Sequence, residues 1–241
     1  STNGLEGLIS KYGIVLNSDL VADQKNAYAQ FSQGFFTFNV PYPFWPKFTA
    51  DNFNHDYTAV SGLENVIMPW VSSITIDENK VSKENVQILI ETSDKSWNQK
   101  ENFQIVPNQI PAVSSGLKKN TVAVALNGTV KNPYQEGEEA GDFLAKIIMI
   151  ADSEFPKDNF ISNNPDNLNL FLNLVDALSL DDDLIKIRSK TATSRPIEAE
   201  LEDGDRATLR YLNVFALTVI VIAFGIARYF LRRKSRFVDD L

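Results

Sequence analysis

The side chains available for covalent chemistry are few. The 241 residues include one histidine, His55 in the run DNFNHDY, and no cysteine. Without cysteine there is no disulfide framework, no thiolate zinc site, no iron–sulfur cluster and no cysteine nucleophile. A Ser–His pair needs a positioned serine. The best placed is Ser153 in ADSEF, at the end of an apolar run, but both glycines of a GxSxG elbow are absent there. His55 therefore reads as a turn or packing residue held through Asn54 or Asp56. Asp152, Glu154 and Asp158 cluster after the same apolar run. Ligand sites of open α/β sheets lie beyond the carboxyl ends of the strands, which makes Asp152, Ser153 and Glu154 a candidate ligand loop for a metal ion or a sugar. The alternative is that these carboxylates only cap and solvate the loop. Asp181–Asp183 lacks the glycine and distal glutamate of an EF-hand loop, and the chain has no Walker motif and no GxGxxG. Asn127-Gly128-Thr129 is a formal glycosylation sequon, although Asn-Gly at a strand end reads first as a turn. Apart from that candidate loop at Asp152, no residue set here specifies a cofactor or a metal centre.

The elements that must position these residues follow from apolar periodicity. Leu5, Leu8 and Ile9 have helical spacing, and Gly13 is a good terminator before a strand-like stretch. Residues 31–57 hold ten aromatics, with Pro41, Pro43 and Pro46 expected to break the stretch into loops and edges. These aromatics are either satellite core or an exposed apolar surface for a protein or membrane partner. The run 62–76 reads as a loop and a strand. The runs 86–92, 121–128 and 145–153 read as strands buried on both faces, as in a helix-covered sheet. Residues 93–120 and 129–142 are polar and loop-like. Residues 167–178 form a helix opened by Pro165 and Asp166, with Leu168, Phe171, Leu172, Val175 and Leu178 on one stripe and Leu170, Leu174 and Ala177 widening it. On this pattern the helix is largely buried. Asp181–Asp183 would cap a further short element, DLIKIRSK. Strand, crossover helix and strand at these spacings indicate an α/β fold.

Between Arg210 and Arg228 lie 17 residues without a charge, and the apolar stretch continues to Leu231 because Arg228 can snorkel. Leu212 to Leu231 spans about 30 Å as a helix, the thickness of a bilayer core. Tyr211 and Tyr229 occupy interfacial positions. Five basic residues (Arg228, Arg232, Arg233, Lys234 and Arg236) lie at or beyond its end. The positive-inside rule then puts the tail in the cytoplasm and residues 1–210 outside. The net charge is −8. The chain before Arg228 carries 18 basic and 29 acidic residues, a net of −11, so it has no electrostatic footprint for nucleic acid. The sequence begins at Ser1 with no signal peptide, and the expectation is a longer parent protein of which this is the C-terminal portion.

Several stretches resemble the C-terminal part of the auxiliary proteins of gliding-motility-type ABC transporters, the GldG-like family. Lys11-Tyr12-Gly13-Ile14, Asn17, Asp19-Leu20-Val21 and Asp23 are similar to its KYGI..N.DLV.D segment. Asn54-His55, Gly62-Leu63 and Pro69-Trp70 to Ser73 are similar to its HP…GL…PW.SS region, with Asp56 in place of the usual proline. Val122–Gly128 resembles VAVAL.G. Ala151–Phe155 resembles GDSDF, and the run from Leu170 to Lys190 resembles LFLNAVDWLA.DE.LI.IR.K. The resemblance implies an extracytoplasmic α/β region related to the amidotransferase-like fold, incomplete in this chain, and partnership with an ABC-2-type permease and its cytoplasmic ATPase. It implies no catalytic residue.

Together these readings give an extracytoplasmic α/β domain over 1–197, a juxtamembrane linker over 198–210, a transmembrane helix over 211–231 and a cytoplasmic tail over 232–241. The expected location is the bacterial inner membrane, with the bulk of the chain on the periplasmic side. Asn213, Ala216, Ala223, Gly225 and Ala227 are the small or polar positions of the span able to face a permease. The expected role is a non-enzymatic, substrate-binding-like auxiliary subunit. The alternatives are a tethered carbohydrate- or lipid-binding module without a transporter, and a membrane-anchored hydrolase using Ser153 or a metal near Asp152.

Overall fold

In the computed structural model, helix α1 (Leu5–Ser10) ends in a turn at Gly13, whose φ is 79°. A side chain there would meet Val81 at 2.7 Å, so glycine is required both for the left-handed turn and for the close approach. The structure describes residues 4–111, 113–132, 134 and 141–179, and positions 211, 212, 215, 222, 224–226, 228 and 229 of a C-terminal helical segment. Strands β1 (Ile14–Leu16), β2 (Leu20–Asp23), β3 (Asn26–Gln33), β4 (Phe36–Phe48), β5 (Val66–Ile67), β6 (Ile74–Ile76), β7 (Val86–Glu91), β8 (Ser96–Gln99), β9 (Thr121–Lys131) and β10 (Asp142–Ile150) precede helices α2 (Asp158–Ile161) and α3 (Pro165–Ser179). They pair as β1-β6, β10-β9-β7, β2-β8 and β3-β4-β5.

The mixture of helices and sheets agrees with an α/β composition. The strand–crossover–strand connectivity does not: every strand pair among the described residues is antiparallel. Two-sided burial holds for the central strand β9 alone of the three apolar runs. Ala123 and Ala125 face one core with Phe48, Leu89, Leu170 and Leu174. Val124, Leu126 and Val130 face a second core with Ile14, Ile74 and Val81. This is the period of two expected of a strand packed on both faces. The edge strands β7 and β10 leave Ile88, Phe143 and Leu144 exposed.

Other expectations are also corrected. Asn127-Gly128 makes no turn. It lies inside β9, with Gly128 opposite Ala145. A Cβ on Gly128 would come within 2.3 Å of Asn85 Oδ1, and Asn85 Nδ2 donates to the Thr129 carbonyl at 2.9 Å, so glycine here admits a side-chain bridge. The stretch 93–120 contains strand β8, which pairs with β2. The three prolines do not break β4. Pro41 lies opposite Tyr28 and Pro46 opposite Asn26, so the intervening residues form a bulge where missing N–H donors cost little. Helix α3 turns inward the face of Asn167, Leu170, Leu174 and Ala177, while Leu168, Phe171, Val175 and Leu178 are exposed. Asn167 decides this. Its Oδ1 accepts from the Ile67 N–H at 3.0 Å, and its Nδ2 donates to the carbonyls of Ile67 and Phe155 at 2.8 and 2.9 Å. Turning the other stripe inward would strand those backbone groups.

Along the β3–β4 hairpin the 31–57 aromatics divide between the core and the exposed surface. Tyr42 and Phe44 are buried with Ala22 and Ala29, whereas Phe35, Phe36 and Phe38 are exposed around the hairpin turn. No charged residue occurs from Asn26 to Pro46.

Two compact units divide the chain, Ser1–Ser194 and Arg195–Leu241. In the second, the described positions are helical and exposed. Among the described residues no helix is long and apolar enough to cross a membrane. Asn213, Ala216, Ala223 and Ala227, most of the expected span, and Asp181–Asp183 with the element after them lie outside the described residues. Gly225 is described, and a Cβ there would meet nothing within 4 Å.

Candidate functional site

The segment Pro69–Thr75 joins the surroundings of the Asp152 loop to a polar cleft. Trp70 has φ 57°, an uncommon left-handed conformation for a bulky residue. Its N–H donates to the Phe44 carbonyl at 2.8 Å, and its ring meets Trp45 and Phe160 edge-on at 5.7 and 6.4 Å. Trp45 Nε1 is buried without an acceptor among the described residues. Burial pushes the Tyr42 phenol above its ordinary value, partly offset by the Trp70 Nε1 hydrogen bond at 3.4 Å. Two residues on, the Ser72 N–H donates to the Ala151 carbonyl at 3.0 Å and its Oγ to the Asp19 carbonyl at 2.6 Å.

Ser73 then engages Asp19, which is buried just before β2. The Ser73 N–H and Oγ donate to the two Asp19 carboxylate oxygens at 2.8 and 2.6 Å, and Asn98 Nδ2 donates to Asp19 Oδ2 at 2.5 Å. Asn17 Nδ2 bridges Ser73 Oγ and Thr75 Oγ1, both at 2.9 Å. At the other end of β2, Asp23 repeats the arrangement, with the N–H and Oγ of Ser93 donating at 2.8 and 2.6 Å. Across from Asp23, Ser96 Oγ donates to the Lys118 carbonyl at 2.5 Å, and Asn120 Nδ2 to Ser96 Oγ at 2.8 Å, fixing the strand entry at 118–121. These segments enclose a cleft of about 430 Å³, lined in part by Asp19, Ser73, Thr75, Asn98, Lys100 and Lys118. Ligand pockets fall in the range of roughly 300–1,000 Å³ but are usually mostly apolar, and this one is polar.

The sequence-derived ligand loop is placed at the end of β10. Asp152 Oδ1 accepts the Glu154 N–H at 2.6 Å, while Oδ2 is buried without a donor among the described residues. Burial is the main cause that pushes the Asp152 carboxyl up to about 7; the Glu154 charge adds to the rise, and backbone donors oppose it. Glu154 pairs with Lys157, and Ser153 is exposed. The loop brings Asp152 and Glu154 together without a third ligand. Among the described residues no three of His, Asp or Glu are grouped to hold a metal.

His55 is exposed in a turn remote in contact from Ser153. Asn54 Oδ1 accepts the Asp56 N–H at 2.9 Å around it, and Asn54 Nδ2 anchors the turn on the Ile88 carbonyl at 2.9 Å. His55→Ala is accordingly expected to leave the melting temperature of the protein nearly unchanged, and a drop of more than a few degrees, beyond what an exposed side chain contributes, would assign the imidazole a role.

Sequence reasoning missed the cleft. Its residues come from four distant segments and carry no periodicity; the only signals were the DLV.D and PW.SS stretches. Residues 1–178 match the model of a family described as an ABC-type uncharacterized transport system. No curated protein and no solved structure matches the chain.

Proposed function

From the premise that the chain belongs to this auxiliary family of ABC-type transport systems, we propose that it is a non-catalytic extracytoplasmic subunit working with an ABC-2-type permease and its cytoplasmic ATPase. The family match over residues 1–178 carries the reading. The uncharged run between Arg210 and Arg228, followed by its basic cluster, supports a C-terminal membrane anchor in the bacterial inner membrane. A single helix cannot form a conduit, so the path for substrate belongs to a multi-span partner. Asn213, Ala216, Ala223, Gly225 and Ala227 are the polar or small positions suited to close helix packing, Ala216, Ala223 and Ala227 falling on one face at helical spacing, and the exposed aromatics of the β3–β4 hairpin supply a second contact outside. The gliding-motility type and an amidotransferase-like region further upstream belong to the same reading.

Two experiments test it. Ala223→Leu with Gly225→Leu is expected to lower co-purification of the permease at least tenfold while membrane insertion is unchanged. Undiminished recovery, also after an unrelated apolar helix replaces 212–231, would make the span a plain anchor. For topology, a cysteine at Ser194 should react with an impermeant thiol reagent in intact cells, and one at Ser235 should not. The reverse pattern would invert the orientation.

A further inference from the structure

The cleft beside Asp19 differs in charge from the chain that builds it. The protein carries −8, yet the cleft lining holds three lysines, Lys100, Lys118 and Lys119, against one carboxylate. That carboxylate, Asp19, is buried and already accepts from Ser73 and Asn98. None of the three ammonium groups has a carboxylate partner among the described residues, and all three side chains are exposed. Clustered lysines in an acidic molecule focus a local positive potential that draws anions.

The remaining groups are arranged for hydroxyls. Asn98 spends its Nδ2 on Asp19 and on Ser73 Oγ, at 2.5 and 3.2 Å, which leaves its Oδ1 buried with no donor among the described residues. A buried acceptor left unpaired is costly, and a ligand hydroxyl met by a small turn of the Asn98 side chain toward the cleft recovers that cost. Thr75 Oγ1 accepts from Asn17, and its own proton has no acceptor among the described residues. The network through Asn17, Asp19, Ser73 and Asn98 holds these groups in place before any ligand arrives, which reduces the ordering cost of binding.

We propose that this cleft binds an acidic saccharide, a sugar bearing a carboxylate or a phosphate, with the anion toward Lys100, Lys118 and Lys119 and the hydroxyls toward Asn98 and Thr75. The assignment stands on the cleft alone and holds with or without a permease.

The test is a ligand-observed NMR titration of the full chain in detergent micelles with glucuronate, glucose 6-phosphate, glucose and inorganic phosphate. At least one acidic sugar is expected to bind tenfold or more tightly than both glucose and phosphate. Lys118→Gln with Lys119→Gln, at exposed positions that leave the fold intact, should erase that advantage over glucose. Soluble dibutanoyl phosphatidylinositol binding more tightly than glucose 6-phosphate would support the same class with a lipid headgroup as its source. Phosphate binding as tightly as glucose 6-phosphate, glucose as tightly as either acidic sugar, no saturable binding by any of them, or a double variant with unchanged preference would each overturn the proposal. The wild-type panel decides the matter even if a variant folds poorly.

Discussion

Asp19→Ala is expected to lower the melting temperature of the full chain in detergent by about 6–12 °C, equivalent to about 3 kcal/mol for a domain of this size. The carboxylate is buried and accepts from the N–H and Oγ of Ser73 and from Asn98 Nδ2. Alanine leaves all three donors without their acceptor, and hydrogen bonds to a charged group contribute about 1.5–3 kcal/mol each before non-additivity. Relief of the desolvation cost of the carboxylate offsets part of the loss. Asp23→Ala should behave alike, because its oxygens accept from Ser93 N–H, Ser93 Oγ and Lys25 N–H. Asp19→Asn places a donor against Asn98 Nδ2 and should recover little. Combining it with Asn98→Asp exchanges donor and acceptor across the contact, and the melting temperature should return most of the way. A thermal melt of Asp19→Ala within 2 °C of the parent would show that the Asp–Ser clasp contributes no net stability.

These two clasps give the DLV.D stretch its physical meaning. Between the aspartates, Val21 and Ala22 are fully buried, and β2 pairs with β8 on one side while Val21 N–H donates to the Val71 carbonyl on the other. The strand is only four residues long, and its flanking carboxylates bind it to the segments containing Ser73 and Ser93. Read from sequence alone, such carboxylates suggest turns or ligand contacts, because the serines they meet are 54 and 70 residues away.

Local rules were legible where one choice dominates. Gly13 ended α1, Pro165 and Asp166 opened α3, and the apolar run at 121–128 marked the one strand with a core on each face. They failed where two choices were equally apolar. Helix α3 carries hydrophobic residues around most of its circumference, and the inward face was selected by Asn167 and by Asn173, whose Nδ2 reaches the Ala59 carbonyl at 3.1 Å. Apolar periodicity does not register a polar residue whose partners are distant backbone groups. The same blindness hid the cleft, since its walls at 17–19, 73–75, 98–100 and 118–121 are polar and meet only through the antiparallel pairings. The Asp152 loop was found because a strand end followed by carboxylates is a local pattern. Its burial was not legible, because that depends on packing from segments distant in sequence.

That burial gives a pH dependence with a definite sign. An aspartate in an unfolded chain titrates near 3.9, whereas Asp152 in the folded protein is pushed up to about 7, chiefly by removal from water. Between these values the folded state holds a proton that the unfolded state has released. Stability from this group is therefore fully present below about pH 4, declines as pH rises, and is lost above about pH 7. The full span corresponds to at most about 4 kcal/mol, since one pKa unit is about 1.4 kcal/mol. Asp152→Asn mimics the protonated form. Its Oδ1 still accepts the Glu154 N–H, and no charge is left in the buried position. The variant is expected to match the parent near pH 4 and to melt about 8 °C higher at pH 8, taking about 2 °C per kcal/mol. The exposed neighbour provides the control, because Ser153→Ala should follow the parent at every pH. A constant offset between Asp152→Asn and the parent across pH 4–8 would mean that the carboxylate titrates normally and is solvated. The Ala151 carbonyl beside it accepts the N–H of Ser72, the residue before the Asp19 clasp. Loss of the proton at Asp152 is therefore expected to be felt along the backbone segment that also carries Ser73 into the cleft, and the same pH series followed by the fluorescence of Trp70, with Trp45 and Trp97 replaced by Phe, should show a transition near pH 7 in that background and none when Asp152→Asn is added.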